Sequence, residues 1–485
     1  MRYKRTLLVN PPYRGSRVRA VFCAGLGYIA ETLKTSGFEY DVLDMSLGYG
    51  YRRLKKKINE FKPDLIGISM MTYRYKETYG LIKKIKGDYP QISIAVGGPH
   101  VSLFREKVLN DCTWVDFAVV LEGEKTLVEL CRGDPVESVK GLIYRGHDTV
   151  VYNGDRPFIK NLDDVPFPRY EKFELESSFD KGVNALPIVS SRGCPFECVY
   201  CPVKSSIGEL FRARSPENIM EELTYWHGKG YRRFSFADDN FTLIKDRVYS
   251  LCELIKRENL EDLKLSCDNG IRADRVDREL LRFMKEAGFF RIAIGVEAGN
   301  NKILRNLKKK EDIETIRKVI KDACDLDYEV DLFFLVGSPG ETWQDLEDSF
   351  KIAAGYPIST AYFYNIIPFP HTELFEWIKR NGRFLKKPEE YLNDNPILNN
   401  QPLFETPQMS EQERKKALNY AFRIMRRTMR RSWTRRLTNL GILGNLFAFI
   451  YTTNFVQDVV IRSKPLRILL YKLARAFISF KQRIE

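Results

Sequence analysis

The stretch LPIVSSRGCPFECVYCP, residues 186–202, decides the fold of the larger part of this chain. It opens with a short apolar run typical of a buried strand and turns at Gly193 into a cysteine-rich loop. Cys194, Cys198 and Cys201 follow with the spacing C-x3-C-x2-C. A tight loop with this spacing can fold its three thiolates around a cubane iron–sulfur cluster and leave the fourth iron open to a substrate or cofactor.

A structural zinc site is the competing interpretation of these cysteines. Such a site usually takes four ligands, with a second pair of Cys or His at similar spacing. The sequence has no such pair, and its four histidines are far apart: His100, His147, His227 and His371. The other six cysteines occur singly, which is typical of small buried side chains: Cys23, Cys112, Cys131, Cys252, Cys267 and Cys324. The spacing therefore favours a cluster.

Strand patterns alternate with helix-length segments on the carboxyl side of this loop. With the run at 186–189 they predict six strand–helix units, the later strands at 233–237, 263–267, 291–296, 330–336 and 362–367. Six units are too few for a closed eight-fold barrel, so the pattern predicts a partial barrel. Ligands are then expected at the carboxyl ends of its strands.

A second alternating series precedes the loop. Its apolar runs lie at 6–9, 40–43, 64–69, 92–96 and 117–120. Strands separated by helix-length segments imply right-handed crossovers and a doubly wound parallel sheet. The fold class is therefore α/β, with four predicted parts: a Rossmann-like domain over 1–140, a connector with a small hairpin over 141–185, the partial (β/α)6 barrel over 186–400 and a basic helical region over 401–485.

Composition sets further limits. The chain has 485 residues, of which 44% are hydrophobic and 29% are charged, as in ordinary globular proteins. This excludes a disordered, collagen-like or polytopic membrane protein. Nine cysteines are too few for a disulfide scaffold, and no secretory signal opens the sequence, so we expect a cytoplasmic, reducing location.

The net charge of +14 is concentrated in the last part of the chain. Residues 411–485 hold 17 Lys and Arg but only 4 Asp and Glu. A basic tail on a nearly neutral body predicts an anionic partner, and an uncharged segment at 437–457 predicts a helix lying in a membrane interface. Alternatives are a helix packed on the body and a true membrane span. Few aromatic residues accompany the basic ones, which argues against nucleic acid as the partner.

Residues 186–375 resemble the radical S-adenosylmethionine (radical SAM) enzymes. The resemblance implies that Cys194, Cys198 and Cys201 hold a [4Fe-4S] cluster whose open iron binds S-adenosylmethionine. An external electron donor would then supply the one electron that cleaves this cofactor to a 5′-deoxyadenosyl radical.

The same resemblance suggests cofactor contacts at several strand ends: Tyr200, Asp238, Asn240, Arg272 and Glu297. The first four of these residues have a plainer alternative. Asp238 and Asn240, which follow the predicted strand at 233–237, are also typical helix caps. Arg272 could form a surface salt bridge, and Tyr200 could simply pack over the cluster. Glu297, at the end of an apolar strand, is poorly explained as a core residue. His371 stands where the family usually has Gly, which marks either an altered turn or a substrate-side histidine.

A doubly wound sheet before a radical SAM core resembles the cobalamin-binding subclass. Small or acidic residues at adjacent strand ends predict an open crevice for a corrin or its nucleotide tail: Ser69, Gly97, Gly98, Glu122 and Gly123. Asn10 and His100 are predicted to lie in reach of it, the histidine being as typical of a helix cap or a buried neutral group. Residues 10–15 lack the Asp-x-His-x-x-Gly motif of domains that ligate cobalt, which leaves open a domain that binds nothing.

The resemblance to the class B methyltransferases and the anaerobic cyclases predicts cobalamin-dependent methylation of an unactivated carbon. The basic tail suggests a lipid-like substrate and a location on the inner face of the membrane. A cyclase, an oxidative or a carbon–carbon coupling enzyme without methyl transfer is the second hypothesis. A non-catalytic, metal-containing scaffold at the membrane is the third. No individual catalytic residue is identified from the sequence.

Overall fold

The computed structural model describes residues 2–12, 22–147, 149–180, 185–260, 262–394, 400–453 and 456. Its first sheet contains β1 (Arg5–Asn10), β2 (Glu39–Asp44), β3 (Leu65–Ser69), β4 (Ser93–Gly97), β5 (Phe117–Val119), β6 (Leu142–Arg145) and β7 (Val150–Tyr152). The strand order is β2-β1-β3-β4-β5-β6-β7, and the first five strands are mutually parallel.

Helices cover both faces of this sheet. They are α1 (Ala24–Thr35), α2 (Tyr51–Phe61), α3 (Tyr75–Asp88), α4 (Pro99–Phe104), α5 (Lys107–Asp111) and α6 (Glu124–Arg132). Apolar residues of α1 and α6 pack in one core layer, and those of α2 to α5 pack in another. The interior strand β1 is buried on both sides, which explains its uninterrupted apolar run. The predicted doubly wound sheet is confirmed.

The hairpin of β6 and β7 belongs to the first sheet. β6 pairs antiparallel with β5, with Ala118 opposite Ile143. Leu142 and Ile143 are fully buried, so the short strand β5 is covered by a partner instead of being left as an open edge. The sheet therefore extends past residue 140, where the sequence suggested that the first domain ends.

The second sheet consists of six parallel strands. They are β8 (Leu186–Ile188), β11 (Arg233–Phe236), β12 (Lys264–Ile271), β13 (Phe289–Glu297), β14 (Glu329–Val336) and β15 (Thr360–Asn365). Their order is β15-β14-β13-β12-β11-β8. The predicted open, partial barrel is confirmed, with one strand from each predicted unit.

Shorter elements complete this half of the molecule. Two-residue strands form two antiparallel ladders, β9 (Ser191–Arg192) with β10 (Arg212–Ala213) and β16 (Arg383–Phe384) with β17 (Phe404–Glu405). The helices before the tail are α7 (Leu175–Asp180), α8 (Val203–Ser206), α9 (Pro216–Gly228), α10 (Lys245–Arg257), α11 (Arg278–Glu286), α12 (Asn301–Asn306), α13 (Ile313–Asp325), α14 (Trp343–Gly355), α15 (Glu373–Asn381) and α16 (Pro388–Asp394).

The tail begins with two helices, α17 (Glu411–Arg436) and α18 (Gly441–Tyr451). α17 starts with a capping box of Ser410 and Glu413 and lies along β15. α18 packs on it through Trp433 and Tyr451, whose ring centroids are 4.6 Å apart. Among the described residues, no helix has the length and apolar character that a membrane span requires. The end of the predicted interfacial segment, at 454, 455 and 457, lies outside the described residues.

Candidate functional site

The three cysteines of the predicted cluster lie in one loop that follows β9. Backbone hydrogen bonds fix it from several sides: Cys194 N–H donates to Gly208 O at 3.3 Å, and Val199 N–H donates to Leu307 O at 3.1 Å. The loop can form only because Gly193 has φ +86° and no side chain, since a Cβ there would overlap the Leu210 carbonyl oxygen. The local sequence thus explains both the turn and the glycine before the first cysteine.

All three thiols are free and partly buried. Burial raises the pKa of each, that of Cys201 to about 12, while Lys309 and Arg272 oppose this rise at Cys198. No group of three His, Cys, Asp or Glu side chains within the described residues is arranged as the ligands of a metal ion. Three thiols of one loop suit an iron–sulfur cluster, because each thiolate there binds a different iron.

A charged network surrounds this loop. Lys309 Nζ lies 3.0 Å from Glu297 Oε1 and 3.4 Å from Glu311 Oε2. Arg272 lies over the Phe196 ring at 3.5 Å and donates to Asp274 at 2.9 Å. Two cations therefore lie near thiolates that would carry negative charge, and two buried carboxylates balance them.

Glu297 reaches this network through a distortion of β13. The strand has a register shift between Gly295 and Glu297, and Glu297 has φ +63°. A Cβ at Gly295 would lie only 2.8 Å from Glu297 Oε1, so glycine there leaves room for the carboxylate. Burial and the nearby Glu297 charge raise the pKa of Tyr200 well above its ordinary range. Tyr200 and Glu297, each predicted separately as a cofactor contact, thus lie together beside the cysteines.

The loop after β11 differs in detail from the prediction. Asp238 is buried and accepts hydrogen bonds from Ser190 N–H at 2.7 Å and from the Ser191 hydroxyl at 2.7 Å, so it ties β11 to the start of the cysteine loop. Asn240 is also buried, and neither polar atom of its side-chain amide has a hydrogen-bond partner among the residues that the structure describes. Asp239, between them, lines a cavity, and burial together with the Asp238 charge raises its pKa to about 6.

That cavity has a volume of about 460 Å³ and lies where the carboxyl ends of the two sheets face each other. Its walls are mainly apolar. The first half of the molecule contributes Leu8, Ile68, Val119 and Leu121, and the second half contributes Val189, Ser191, Arg192, Ile207, Asp239 and Asn269. An apolar cleft with a few polar groups is the usual form of a cofactor or substrate site.

Five residues predicted for the crevice line this cavity: Ser69, Gly97, Gly98, Glu122 and Gly123. Gly97 is informative because nothing in the packing requires a glycine there. A Cβ at this position would meet its nearest neighbour, Val119 O, at an ordinary 3.6 Å. Its missing side chain therefore widens the cavity. Gly98 instead has φ +110° and approaches the Met70 backbone closely.

Asn10 and His100 do not line the cavity, contrary to their predicted position. The Asn10 amide donates to Asp44 Oδ1 at 2.9 Å and joins the ends of β1 and β2. The His100 ring is stacked on Tyr75 with centroids 4.6 Å apart. It is the buried neutral histidine that the sequence left open, because burial lowers its pKa to about 3.

His371 occupies a left-handed turn before α15, with φ +65°. This conformation favours glycine and explains why a glycine is expected at that position. The side chain is exposed.

Sequence reasoning missed three residues of the site: Asp239, Lys309 and Arg192. Lys309 lies within a run of three lysines, a pattern typical of a solvated surface, yet it is only 5% exposed. Arg192 precedes the cysteine loop, and its contacts with the first sheet are not visible in any local pattern. The position of Asp239 at a strand end was the one available signal, and it did not distinguish this residue from its two neighbours.

Two family models match the chain. Residues 188–353 match the radical SAM superfamily, and residues 20–131 match the B12 binding domain. The chain thus carries a radical SAM domain and, before it, a B12-binding domain.

Relatives of this enzyme include an uncharacterized methyltransferase of Pyrococcus horikoshii, which is 29% identical over 87% of this chain and 94% of its own. The cytidylyl-2-hydroxyethylphosphonate methyltransferase of Streptomyces wedmorensis is 27% identical over 81% of this chain and 84% of its own. The anaerobic magnesium-protoporphyrin IX monomethyl ester cyclase of Cereibacter sphaeroides is 26% identical over 77% of this chain and 64% of its own.

Two solved structures share the fold. The radical S-adenosylmethionine methyltransferase TsrM of Kitasatospora setae has a TM-score of 0.66 and 19% identity, and the match covers 78% of each chain. The cobalamin-dependent S-adenosylmethionine radical enzyme OxsB has a TM-score of 0.68 and 16% identity, covering 98% of this chain and 75% of its own.

The enzyme's domains imply three cofactors: a [4Fe-4S] cluster, S-adenosylmethionine and cobalamin. The residues present fit them. The loop offers three thiols near two cations, Asn240 offers a buried amide without a partner, and Gly97 leaves a space that a side chain would fill.

Proposed function

We propose that this enzyme is a methyltransferase that methylates an unactivated carbon of a small-molecule substrate. The observation that carries the proposal is the apolar cavity bounded by the strand ends of both sheets. When bound, the cluster and S-adenosylmethionine supply a 5′-deoxyadenosyl radical, and cobalamin supplies a methyl group. The contribution of the chain is to hold these groups and the substrate carbon in a fixed arrangement and to exclude water.

Each cofactor has proposed residues. Cys194, Cys198 and Cys201 hold the cluster. Asn240 and Glu297 are proposed to contact S-adenosylmethionine, with Tyr200 packing beside them and Arg272 and Lys309 offsetting negative charge. The residues proposed to form the corrin crevice are Ser69, Gly97, Gly98, Glu122 and Gly123. Asp239 replaces Asp238 as the proposed cofactor contact after β11, because both carboxylate oxygens of Asp238 already accept hydrogen bonds from Ser190 and Ser191.

Cysteine replacement tests the cluster. We expect Cys198→Ala to abolish iron loading and the formation of 5′-deoxyadenosine, because one iron loses its thiolate. Cys324→Ala is the matched control, since Cys324 is a partly buried cysteine of α13 outside the loop. The measurements are iron and sulfide per chain and 5′-deoxyadenosine after anaerobic reconstitution with dithionite as electron donor. Full iron loading in Cys198→Ala would contradict the proposal that these three cysteines hold the cluster.

A second substitution tests the crevice. Gly97→Val adds a branched side chain to the cavity wall at a strand position that accepts valine, so we expect cobalt uptake to fall at least tenfold while iron loading stays unchanged. Gly87→Ala, in α3 with nothing within 4 Å of its added Cβ, is the control. Undiminished cobalt in Gly97→Val would show that cobalamin binds elsewhere.

Similarity to the magnesium-protoporphyrin cyclases supports a second candidate reaction, ring formation or coupling without methyl transfer. Product mass separates the two. A gain of one CH2 unit per turnover supports methylation, and a loss of hydrogen alone supports cyclisation.

We further propose that the substrate is lipid-like and that the enzyme docks on an anionic membrane surface. Support comes from α18, which exposes a row of apolar side chains on one helix face: Ile442, Leu443, Leu446, Phe449 and Ile450. The neighbouring helix α17 is strongly basic. An exposed apolar face beside basic residues is the pattern of an interfacial helix.

A further inference from the structure

Four charged side chains cross the gap between the two halves of the enzyme at one wall of the cavity. Glu122, at the end of the first sheet, accepts hydrogen bonds from Arg192 at 3.0 Å and from Arg212 at 2.6 Å. Glu124 accepts from the second arm of Arg192 at 2.7 Å. The Ile159 N–H donates to the remaining oxygen of Glu122 at 2.9 Å.

These contacts are withdrawn from solvent. The four side chains are between 4% and 13% exposed. The Tyr28 ring lies 5.0 Å from the Arg192 guanidinium, and the Phe158 ring lies 4.5 Å from that of Arg212. Two carboxylates and two guanidinium groups leave no net charge, so each buried ion is compensated.

The two arginines are cross-strand partners. Arg192 in β9 lies opposite Arg212 in β10. Arg192 is also only two residues before Cys194, the first cysteine of the loop. The carboxylates therefore hold the short ladder from which the cysteine loop starts.

A buried ion-pair network contributes little net stability compared with an apolar contact of the same size, because desolvation offsets most of the attraction. Its bonds are directional, however, and the forked guanidinium fixes both distance and orientation. Glu122, Glu124 and Arg192 all line the cavity, so their arrangement defines the separation of its two walls.

We propose that Glu122, Glu124, Arg192 and Arg212 form an interdomain clamp that sets the position of the corrin crevice relative to the cysteine loop. These are positioning residues. The role of the clamp rests on the proposed function, because it assumes that the crevice and the cysteine loop hold the two cofactors. It also explains why an acidic pair flanks Gly123 at a strand end that the sequence had assigned to cofactor contact alone.

Arg212→Gln is the informative variant, because Arg212 does not line the cavity and retains neutral hydrogen-bonding capacity when replaced. Arg156→Gln is the matched control, since Arg156 forms its ion pair with Glu129, within the first half of the molecule. Arg212→Lys keeps the charge without the fork.

The first measurement is pulsed electron paramagnetic resonance of the holoenzyme with cob(II)alamin and the reduced cluster. We expect one narrow cobalt–cluster distance distribution in the wild type and in Arg156→Gln. In Arg212→Gln it should broaden at least twofold, with unchanged iron and cobalt loading, and Arg212→Lys should be intermediate. A distribution in Arg212→Gln identical to that of Arg156→Gln overturns the clamp.

The second measurement needs no cofactor. Amide hydrogen exchange at Ile159 and in the β9–β10 ladder should accelerate about tenfold in Arg212→Gln and stay unchanged in Arg156→Gln. If the wild type takes up no cobalt, the proposed function fails and exchange alone decides the clamp. Equal exchange in the two variants then overturns it.

Discussion

His100 shows how much a single side chain depends on which way it faces. It directly follows the glycines and the proline at the end of β4, yet its ring is buried among Tyr75, Tyr79 and Phe104. Gly97, three residues earlier, lines the cavity. At the residue scale, one short segment thus contains both a residue that lines the cavity and a residue that packs in the core. A residue close in sequence to a site need not contact it.

The buried imidazole predicts a specific acid sensitivity. Burial lowers the folded-state pKa of His100 to about 3, below its ordinary value of 6.5. The unfolded state therefore binds a proton that the folded state does not, and stability from this group is complete above about pH 6.5 and is lost as the pH falls. When the pH falls from 7.5 to 5.0, we expect the free energy of unfolding of the wild type to decrease by about 2 kcal/mol more than that of His100→Phe.

Urea denaturation at the two pH values measures this difference. His147→Gln is the control, because it replaces a histidine whose side chain is exposed. The same loss in His100→Phe as in the wild type would contradict a buried neutral histidine.

At the scale of elements, α17 does more than carry charge. Strand β15 is the edge of the second sheet, and its Ala361 N–H donates to the Thr428 hydroxyl of α17 at 3.1 Å. Arg431 donates to the Ala354 carbonyl at 2.7 Å, near the end of α14, and Arg435 donates to Ile358 O at 2.6 Å. Part of the basic tail that the sequence assigned to an anionic partner therefore completes the backbone hydrogen bonds of the body.

The edge contact can be tested at Thr428. Thr428→Val keeps the shape of the side chain but leaves the buried Ala361 N–H without an acceptor, so we expect a loss of 1–3 kcal/mol of unfolding free energy, roughly the cost of an unsatisfied buried donor. Thr428→Ser retains the hydroxyl and should lose less. The measurement is urea denaturation followed by circular dichroism, and equal stability of the valine and serine variants would refute the contact.

At the scale of the whole molecule, two features lie far apart in sequence but serve one proposed purpose. The cavity lies between the sheets, and α18 presents exposed apolar side chains at the end of the described chain, Ile442 being 86% exposed. A helix of this kind next to a basic one would keep the enzyme near a lipid-like substrate.

Vesicle flotation tests this arrangement. We expect the enzyme to float with phosphatidylglycerol-containing vesicles and far less with pure phosphatidylcholine, because basic residues near an anionic surface each contribute about 1 kcal/mol. The double substitution Ile442→Asn and Leu446→Asn should reduce flotation at least tenfold. Ile244→Asn, which removes an exposed apolar side chain elsewhere, should not. Unchanged flotation of the double variant would rule out docking through α18.

The sequence by itself determined what depends on local pattern. Apolar runs separated by helix-length segments predicted every parallel strand of both sheets, because a strand buried between helix layers needs an uninterrupted apolar run. The spacing of Cys194, Cys198 and Cys201 predicted a single loop, since three thiols so close in the chain cannot separate far in space. Small residues at strand ends predicted the crevice for the same reason: parallel strands end at the same edge.

Only the tertiary structure decided which side chains meet. Asp239 lines the cavity and Asp238 does not, because register and twist set which neighbour faces inward. Lys309 looks solvated in a run of lysines but is buried, and its ion-pair partner Glu297 approaches it from the end of β13. The pairing of Glu122 with Arg192 and the joining of the hairpin to β5 likewise depend on contacts between segments distant in sequence. Such contacts depend on how the sheets and their helices pack against each other, which the local sequence pattern does not determine.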